Sequence, residues 1–538
     1  MINMGKRQIL DCTVRDGGYI NDWKFGSCVL TETIQRLINA GVDYVELGFI
    51  DERRYYDEDR SIFPNALSIN DTYKHLKRKD NTKLVAMIDY GTCDIKNICK
   101  KDDSILDGIR VIFKKEKMEK ALEYCSEIKK LGYEVFTQLV STTAYTDDDF
   151  NKLIELENEL MPYAVSIVDT YGLMDSIEMD KIYDKLDQGL NKNITLAFHA
   201  HNNLLSAFSN SSQFLSMKTD RNLLVDGTIM GMGKGAGNSP IELLANYCNK
   251  MFGSDYNMNE LLEAAESNIM KLFGRSNWGY SIKFLLASIN RVHPNYVSDY
   301  ITKNVLSISN LNNLLKGINE EDKLLYNKDE SERNYNNYCM SHFNDESDIS
   351  KLKSIIEKKT ILLLGPGKSI EASKDKISLF IGNENPIVIA LNYLPKIKTD
   401  FIFITNSRRH GYLANSFDEI YSRKVKIIAT NNITSYFRDF DFHIDYSDVI
   451  DQDSFARDSA IIMVLKLLEL CSANRVYLAG LDGYASSFED DFVNLSNSYG
   501  WKEPYVGFLN SYIRNQIKKF SVNMDILFLT SSLFEGDD

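Results

Sequence analysis

"ITLAFHAHNN", residues 194 to 203, joins a short apolar run to two histidines separated by one residue. Its length and its polar borders mark it as a buried strand. On a strand, imidazoles at i and i+2 share a face while Ala200 points the other way. Two neutral imidazoles on one face make a natural metal pair. An isolated H-x-H is more often a hydrogen-bonded surface pair, so its weight depends on what surrounds it.

Comparable runs recur through the first 230 residues: "RQILDCT", "VDYVELGF", "TKLVAMIDY", "GIRVIF", "EVFTQLV", "AVSIVDT" and "NLLVDGTIMG" join "ITLAFHAH" to make eight. Between most of them lie stretches with apolar residues at three- and four-residue spacing, such as "LTETIQRLINAG", "KMEKALEYCSEIKKLG" and "DFNKLIELENEL". That spacing is helical. Eight β/α units in this length predict an α/β chain that begins with a TIM (β/α)8 barrel. An open doubly wound sheet is the alternative.

In a barrel, chemistry collects at the C-terminal ends of the strands. Run one ends in Arg15 and Asp16, run two carries Glu46, run six ends in Asp169 and Thr170, run seven in His199 and His201, and run eight leads to "GMGKGAGN". Strands one, seven and eight are neighbours in a closed barrel, so Asp16, the histidine pair and the glycine loop meet. Asp16, His199 and His201 offer one hard oxygen and two nitrogens, and Asn238 adds a weaker oxygen. Such a set with open positions suits a divalent ion, Mn²⁺ first, with Mg²⁺, Co²⁺ or Zn²⁺ also compatible.

The totals frame this reading. With 538 residues the chain is too long for one core. A composition of 44% hydrophobic and 26% charged residues with 8 Pro is that of a folded protein. A formal charge of −14 lacks the basic field that nucleic acid requires. The start, "MINMGKRQIL", has no signal-peptide pattern, and no apolar run is long enough for a bilayer, so the expected location is cytoplasmic, away from any membrane. The 8 Cys are scattered without a C-x-x-C pair and are expected to be free thiols. Assembly into a homo-oligomer is left open.

Residues 1–255 are therefore expected to form the barrel. From about Tyr256 the strand pattern gives way to helix-like stretches such as "NELLEAAESNIMKLF" and "SIKFLLASINRV", so 256–345 reads as a helical extension and linker. Within it "NKDESERNYNNYCMSHFNDESD", 327 to 348, is the polar candidate linker. Strands then return in "KTILLLG", "PIVIALN", "DFIFIT", "KVKIIAT" and "RVYLAGLDG", which makes 346–538 a second, Rossmann-like α/β domain. In "LLLGPGKSI", 362 to 370, a Walker A loop fails because Leu362 stands where its first glycine belongs. The dinucleotide fingerprint fails because Ile370 replaces its third glycine. What remains is a strand, a tight glycine turn and a serine, which can offer N–H groups to a phosphate or be only a turn.

"VRDGG", "VELGF", "IVDTYG", "FHAHNNLLSAFSNS" and "DGTIMGMGKGAGNSPIE" stand in the order and spacing of the DRE-TIM metallolyases, and residues 6 to 250 most resemble the 4-hydroxy-2-oxovalerate aldolase branch. The resemblance implies a divalent-metal 2-oxo acid aldolase, in which pyruvate enolate adds to or leaves an aldehyde. It implies that Asp16, His199 and His201 hold the metal with Asn238 nearby, that Arg15 contacts the enolate oxygen, that Glu46 holds Arg15 or a water, and that Thr170 lies near the substrate carboxylate. A metal and a fixed guanidinium both stabilise charge developing on the enolate oxygen.

The departures are specific. The related aldolases keep a histidine base two residues after Arg-Asp-Gly, where this chain has Tyr19. A phenol with a pKa near ~10 is a poor base at neutral pH and suits proton donation or substrate orientation. Tyr280 in "WGYSIKFLL" matches a tyrosine at a similar place after the barrel and is the other candidate. Acyl-CoA lyases of the family use a cysteine in the glycine loop, which is missing between Ile229 and Ile241, and the isopropylmalate-type synthases carry Glu-Gln where Gly18-Tyr19 stands. A Claisen-type condensing acyltransferase is the alternative among enzymes. In the related aldolases a helical extension docks an aldehyde dehydrogenase, a partner not carried over to a chain that continues into its own second domain. That domain weakly resembles bacterial sialyltransferase-like polysaccharide proteins, which implies a nucleotide sugar at Gly365, Gly367, Ser369 and Asp482 and a place in cell-surface glycan biosynthesis. On that view a silent barrel serving as a scaffold is the third alternative.

Overall fold

The structure, a computed structural model, describes residues 4–273, 277–303, 307–433, 439–451, 456–484 and 505–536. Eight parallel strands run in chain order around a barrel: β1 (Arg7–Asp11), β2 (Tyr44–Ile50), β3 (Lys83–Asp89), β4 (Gly108–Phe113), β5 (Glu134–Leu139), β6 (Ala164–Val168), β7 (Thr195–His199) and β8 (Leu223–Gly227). Closure comes from β1, which pairs with β2 through Leu10 and Tyr44 and with β8 from Arg7 opposite Leu223 to Asp11 opposite Gly227. This is the expected TIM barrel. A two-residue strand, Ile62–Phe63, extends the sheet outside β2.

The strand period of two sets the interior in layers. Leu10, Tyr44, Val85, Phe136, Ala164, Ala197 and Leu224 face one another and form an apolar plug low in the barrel. Two residues further along the strands the same inward positions hold Cys12, Glu46, Met87, Gln138, Ser166, His199 and Asp226, and β4 adds Arg110, all buried. One period therefore separates a dry floor from a polar layer. Outside, the helices bury apolar stripes against the strands, as Leu30, Ile34, Leu37 and Ile38 do on the helix Ser27–Ala40.

The lower rim is tied by arginines. Arg221, fully buried in the loop entering β8, gives Nε to Asp187 Oδ1 at 2.7 Å, Nη1 to the carbonyls of Asn191 and Ile194, and Nη2 to those of Asp187 and Leu190. It satisfies the C-terminal carbonyls of the helix Ser176–Gly189 and the turn into β7.

The chain divides into two compact units. One comprises Met1–Val297 with Lys323–Tyr326, the other Ser298–Asp322 with Asn327–Asp538. The second holds an open sheet of seven parallel strands, β9 (Thr360–Leu364), β10 (Ile387–Leu391), β11 (Phe401–Ile404), β12 (Lys426–Thr430), β13 (Phe442–Ile444), β14 (Arg475–Ala479) and β15 (Asp525–Phe528), in the order β13-β12-β11-β10-β9-β14-β15. The order reverses beside β9, so the crevice above β9 and β14 is where such sheets bind ligands. Two of these strands went unread in the sequence. β13 is only three residues long, and β15 is a half-exposed edge without a buried apolar run.

The candidate linker is a correction. Lys328–Cys339 is a helix capped by Asn327, whose side chain accepts from the N–H groups of Asp329 and Glu330, and it buries Glu330, Ser331, Tyr335 and Cys339. Two members of that buried stripe are polar, which hid its period. Among the described residues no helix is long and apolar enough to cross a membrane.

Two predictions test this framework. Arg221→Ala lowers stability by about 3 kcal/mol in urea unfolding, since it strands buried carbonyls and a carboxylate, while turnover per folded molecule is unchanged because the site lies at the other rim. Glu157, fully buried on the helix Asp147–Leu160 beside the Thr137 hydroxyl, has its pKa pushed up to about 8 by that burial. The folded chain then keeps a proton that the unfolded chain releases above its ordinary value of 4.5, so stability falls as pH rises between these two values. Glu157→Gln removes that slope and gains more than about 1 kcal/mol over the natural chain at pH 8 relative to pH 5 in parallel urea titrations.

Candidate metal centre

The chain leaves β1 in a tight turn. Asp11 accepts from the Thr13 N–H at 2.9 Å and from its hydroxyl at 2.6 Å, which starts the helical turn Thr13–Asp16. The Trp23 indole donates to the Arg15 carbonyl at 2.7 Å, and the Ser61 hydroxyl to that of Val14 at 2.6 Å. A Cβ on Gly18 would lie 2.0 Å from Trp23 Cδ1, so a side chain there would displace the indole that fixes Arg15.

Arg15 donates through Nε to Glu46 Oε2 at 2.7 Å and through Nη1 to Asp16 Oδ1 at 2.6 Å. Glu46 is shared: its Oε1 lies 3.1 Å from Arg110 Nη1. Arg110 also pairs with Asp226, and Asp226 Oδ2 lies 2.8 Å from His199 Nδ1. A carboxylate only accepts, so His199 holds its proton on Nδ1 and keeps Nε2 as a lone pair. His201 Nδ1 likewise donates to the Gly237 carbonyl at 3.2 Å. Ligand atoms of Asp16, His199 and His201 lie within 4.8 Å of one another.

Asn238 joins the group. Its Nδ2 donates to Asp16 Oδ2 at 2.6 Å, while its Oδ1 is buried without a hydrogen-bond partner. An orphaned buried acceptor beside a carboxylate and two imidazole nitrogens fits a divalent cation, which would satisfy all four. Cys12, His199 and Asp226 form an overlapping group below it, in which burial raises the Cys12 thiol well above its ordinary value and Asp226 is committed to Arg110. The upper group is the better match.

The electrostatics agree. Burial disfavours the Asp16 anion, but Arg15 and then the two imidazoles hold it well below the usual carboxylate range. Burial lowers His201 to about 4, so its imidazole is neutral at physiological pH. For Asp226, Arg110 and His199 outweigh burial and bring it to about 2. With both imidazoles neutral, as metal binding requires, Asp16, Glu46 and Asp226 exceed Arg15 and Arg110 by one negative charge. A divalent ion leaves one positive charge, suited to an anionic substrate.

The other sequence candidates fall in different places. Thr170 Oγ1 accepts from the Ser141 N–H at 2.8 Å at the end of β6. Asp169 accepts from the N–H groups of Leu173 at 2.8 Å and Met174 at 3.2 Å, and so shapes its own loop. Tyr19 is 43% exposed at the mouth, edge-on to Trp23 at 4.7 Å, with its phenol pushed above the ordinary value by burial and then by Asp16. Such a phenol keeps its proton. Tyr280, half exposed ahead of the helix Ile282–Ile289, has no hydrogen bond or ring contact to the cluster among the described residues.

In the second unit, Ser369 donates its N–H to Asp482 Oδ2 at 2.8 Å and its hydroxyl to the other oxygen, while the N–H groups of Gly365 and Gly367 donate to the carbonyls of Ala479 and Gly480 at 2.8 and 2.7 Å. The donors expected to receive a phosphate are engaged within the protein, because the β9–β14 pairing runs on into the turn. Gly365, Gly367, Ser369 and Asp482, the sequence candidates for a phosphate site, thus lie together at one turn. Beside it a cavity of about 100 Å³ is lined by Asn392, Thr405, Asn406, Asp458, Asp482 and Tyr484, among others.

Sequence reasoning passed over Arg110, Asp226 and Lys234. The first two carried a usable signal, a charge at an inward position of the apolar runs "GIRVIF" and "NLLVDGT". Lys234 lies in the glycine loop; its N–H donates to Asp16 Oδ2 at 3.3 Å and its ammonium lies 5.4 Å over the Tyr19 ring. A Cβ on the preceding Gly233 would lie 2.2 Å from Asn238 Nδ2 and 2.6 Å from Asp16 Oδ2, so this loop approaches the ligands only without a side chain there.

Known proteins resemble the barrel half. Residues 6–267 match the family model described as HMGL-like. The chain is 25% identical over 289 residues to the oxaloacetate decarboxylase of Mycobacterium tuberculosis (strain ATCC 25618 / H37Rv), spanning 51% of this chain and 79% of that protein. It is 23% identical over 262 residues to the 4-hydroxy-2-oxovalerate aldolase of Geobacillus genomosp. 3, spanning 48% and 75%. Among solved structures, the hydroxymethylglutaryl-CoA lyase from Pseudomonas aeruginosa aligns at 16% identity with a TM-score of 0.40, over 51% of this chain and 95% of that one.

Asp226→Asn leaves the ligating side chains in place but weakens the grip on His199. Its expected effect is a ~10- to 100-fold loss of Mn²⁺ affinity by calorimetric titration, with the far-UV spectrum retained.

Proposed function

We propose that residues 6–267, which carry the HMGL-like match, work as a divalent-metal-dependent lyase that makes or breaks a carbon–carbon bond beside the carbonyl of a 2-oxo acid. The observation that carries this is the convergence of Asp16, His199 and His201 at one rim with the paired Arg15 beside them. Names among the relatives, an oxaloacetate decarboxylase and a 4-hydroxy-2-oxovalerate aldolase, support the substrate class.

A bound divalent ion supplies Lewis-acid polarisation of the 2-oxo and carboxylate oxygens. Asp16, His199 and His201 would hold it, with Asn238 Oδ1 as a further oxygen. Mn²⁺ is the first choice. Arg15 does the rest of the charge work. Its Nε and Nη1 are fixed by Glu46 and Asp16, so the guanidinium has little freedom to lose when Nη2 meets an enolate oxygen. Thr170 borders the carboxylate end of the substrate.

In the aldolase reading, the 4-hydroxyl proton leaves, the C3–C4 bond breaks, its electron pair becomes the enolate of pyruvate, and the aldehyde departs; a proton then returns to C3. Tyr19, which keeps its proton, suits the final step as donor. That observation also favours a second reading. Loss of carbon dioxide from a 3-carboxy-2-oxo acid forms the same enolate without a base, and needs only the donor.

For the second unit, a nucleotide sugar remains the proposed ligand, on the resemblance of residues 346–538 to nucleotide-sugar-binding domains.

Purified protein with Mn²⁺ is expected to release pyruvate from a panel of 4-hydroxy-2-oxo acids or from oxaloacetate, and the preferred panel member separates the two readings. Asp16→Asn lowers kcat/KM by at least ~10³-fold. Turnover that persists in a chelator, or that survives Asp16→Asn, rejects the metal-dependent mechanism.

A further inference from the structure

One cation at the barrel mouth is unaccounted for by the reaction above. Lys234 stands in the loop after β8, four residues before Asn238. Its backbone is pinned by the N–H bond to Asp16 Oδ2 at 3.3 Å, by the approach that requires Gly233, and by Gly235 at φ +71°. The ammonium lies 5.4 Å over the ring of Tyr19 and 6.0 Å over that of Tyr171. Aromatic faces hold a cation in place without neutralising it.

Arg15 and Arg110 each pair with two carboxylates, but among the described residues no carboxylate lies within ion-pair distance of the Lys234 ammonium. Its charged neighbours other than Asp16 are cations, Arg15 and Lys114. A half-buried positive charge left without an ion-pair partner is costly. An anion brought by a ligand removes that cost.

The carboxylate and ketone of a 2-oxo acid belong beside Asp16, His199 and His201, and the ammonium lies beyond ion-pair distance of Asp16. Resting on the 2-oxo acid reading, we propose that Lys234, framed by Tyr19 and Tyr171, is a subsite for a second anionic group of the substrate, remote from its 2-oxo acid end. The preferred substrate is thus a dianion whose distal group is a carboxylate or a phosphate.

Calorimetric titration of the full chain with saturating Mn²⁺ tests this with three unreactive probes: 2-oxohexanoate, 2-oxoglutarate and 2-oxo-4-phosphonobutanoate. At least one dianion is expected to bind the natural chain ~10-fold or more tightly than 2-oxohexanoate, and the tighter one identifies the distal group. Lys234→Met brings the ratio to within about twofold without changing 2-oxohexanoate affinity, which also reports an intact site, and Lys234→Arg restores the preference. Equal binding of all three probes by the natural chain, or a preference that survives Lys234→Met, overturns the subsite. A loss of 2-oxohexanoate affinity in Lys234→Met assigns the lysine to the metal-end carboxylate and overturns it as well. If 2-oxohexanoate shows no binding that depends on Asp16, the 2-oxo acid reading itself fails and takes the subsite with it.

Discussion

A single buried guanidinium organises the barrel. Arg110 pairs with Glu46 on one side and Asp226 on the other, and each carboxylate passes the constraint on, Glu46 to Arg15 and Asp226 to His199. All five residues are at most 4% exposed, so none of these charges has water as a substitute partner. A network of this kind adds little net stability, because desolvation offsets attraction, but removing one member strands the others. Its effect is on position. Arg15 and His199 are both tied to Arg110, one through Glu46 and the other through Asp226, which couples their geometry.

The layering of the strands makes that network possible. The apolar plug of Leu10, Tyr44, Val85, Phe136 and their neighbours excludes water from below, and the polar layer sits two residues higher on the same faces. Low dielectric strengthens every pair above it; burial keeps His201 neutral, and Arg15 keeps Asp16 ionised against burial, the states that metal binding requires. At the mouth the constraint changes. Tyr19 and Lys234 are set by aromatic contacts and a glycine loop, not by paired charge, and these are the positions where the chain departs from its relatives' pattern or carries an uncompensated group.

Much of this was legible in the sequence. The eight apolar runs separated by helical spacing led to the barrel, and their charged or imidazole ends led to Asp16, His199 and His201, because a period of two and a rule about strand ends are local properties. The helix Lys328–Cys339 and the strand β15 were not, since a buried face that includes Glu330 and Ser331, or an edge that is half exposed, carries no clear apolar period. The turn at Gly365 and Gly367 looked open to a phosphate until the pairing of β9 with β14 placed Asp482 on the Ser369 N–H.

The sequence by itself determined the fold class of the barrel and the residue types at its rim, since strand alternation and the order of β/α units need no knowledge of distant contacts. Only the tertiary structure decided which of those residues act together. Arg110 and Asp226 lie 116 positions apart, and Asp16 and Asn238 lie 222 apart. Closing the barrel between β1 and β8 brings the first and last strands into register, and that closure turns scattered charges into one bonded set.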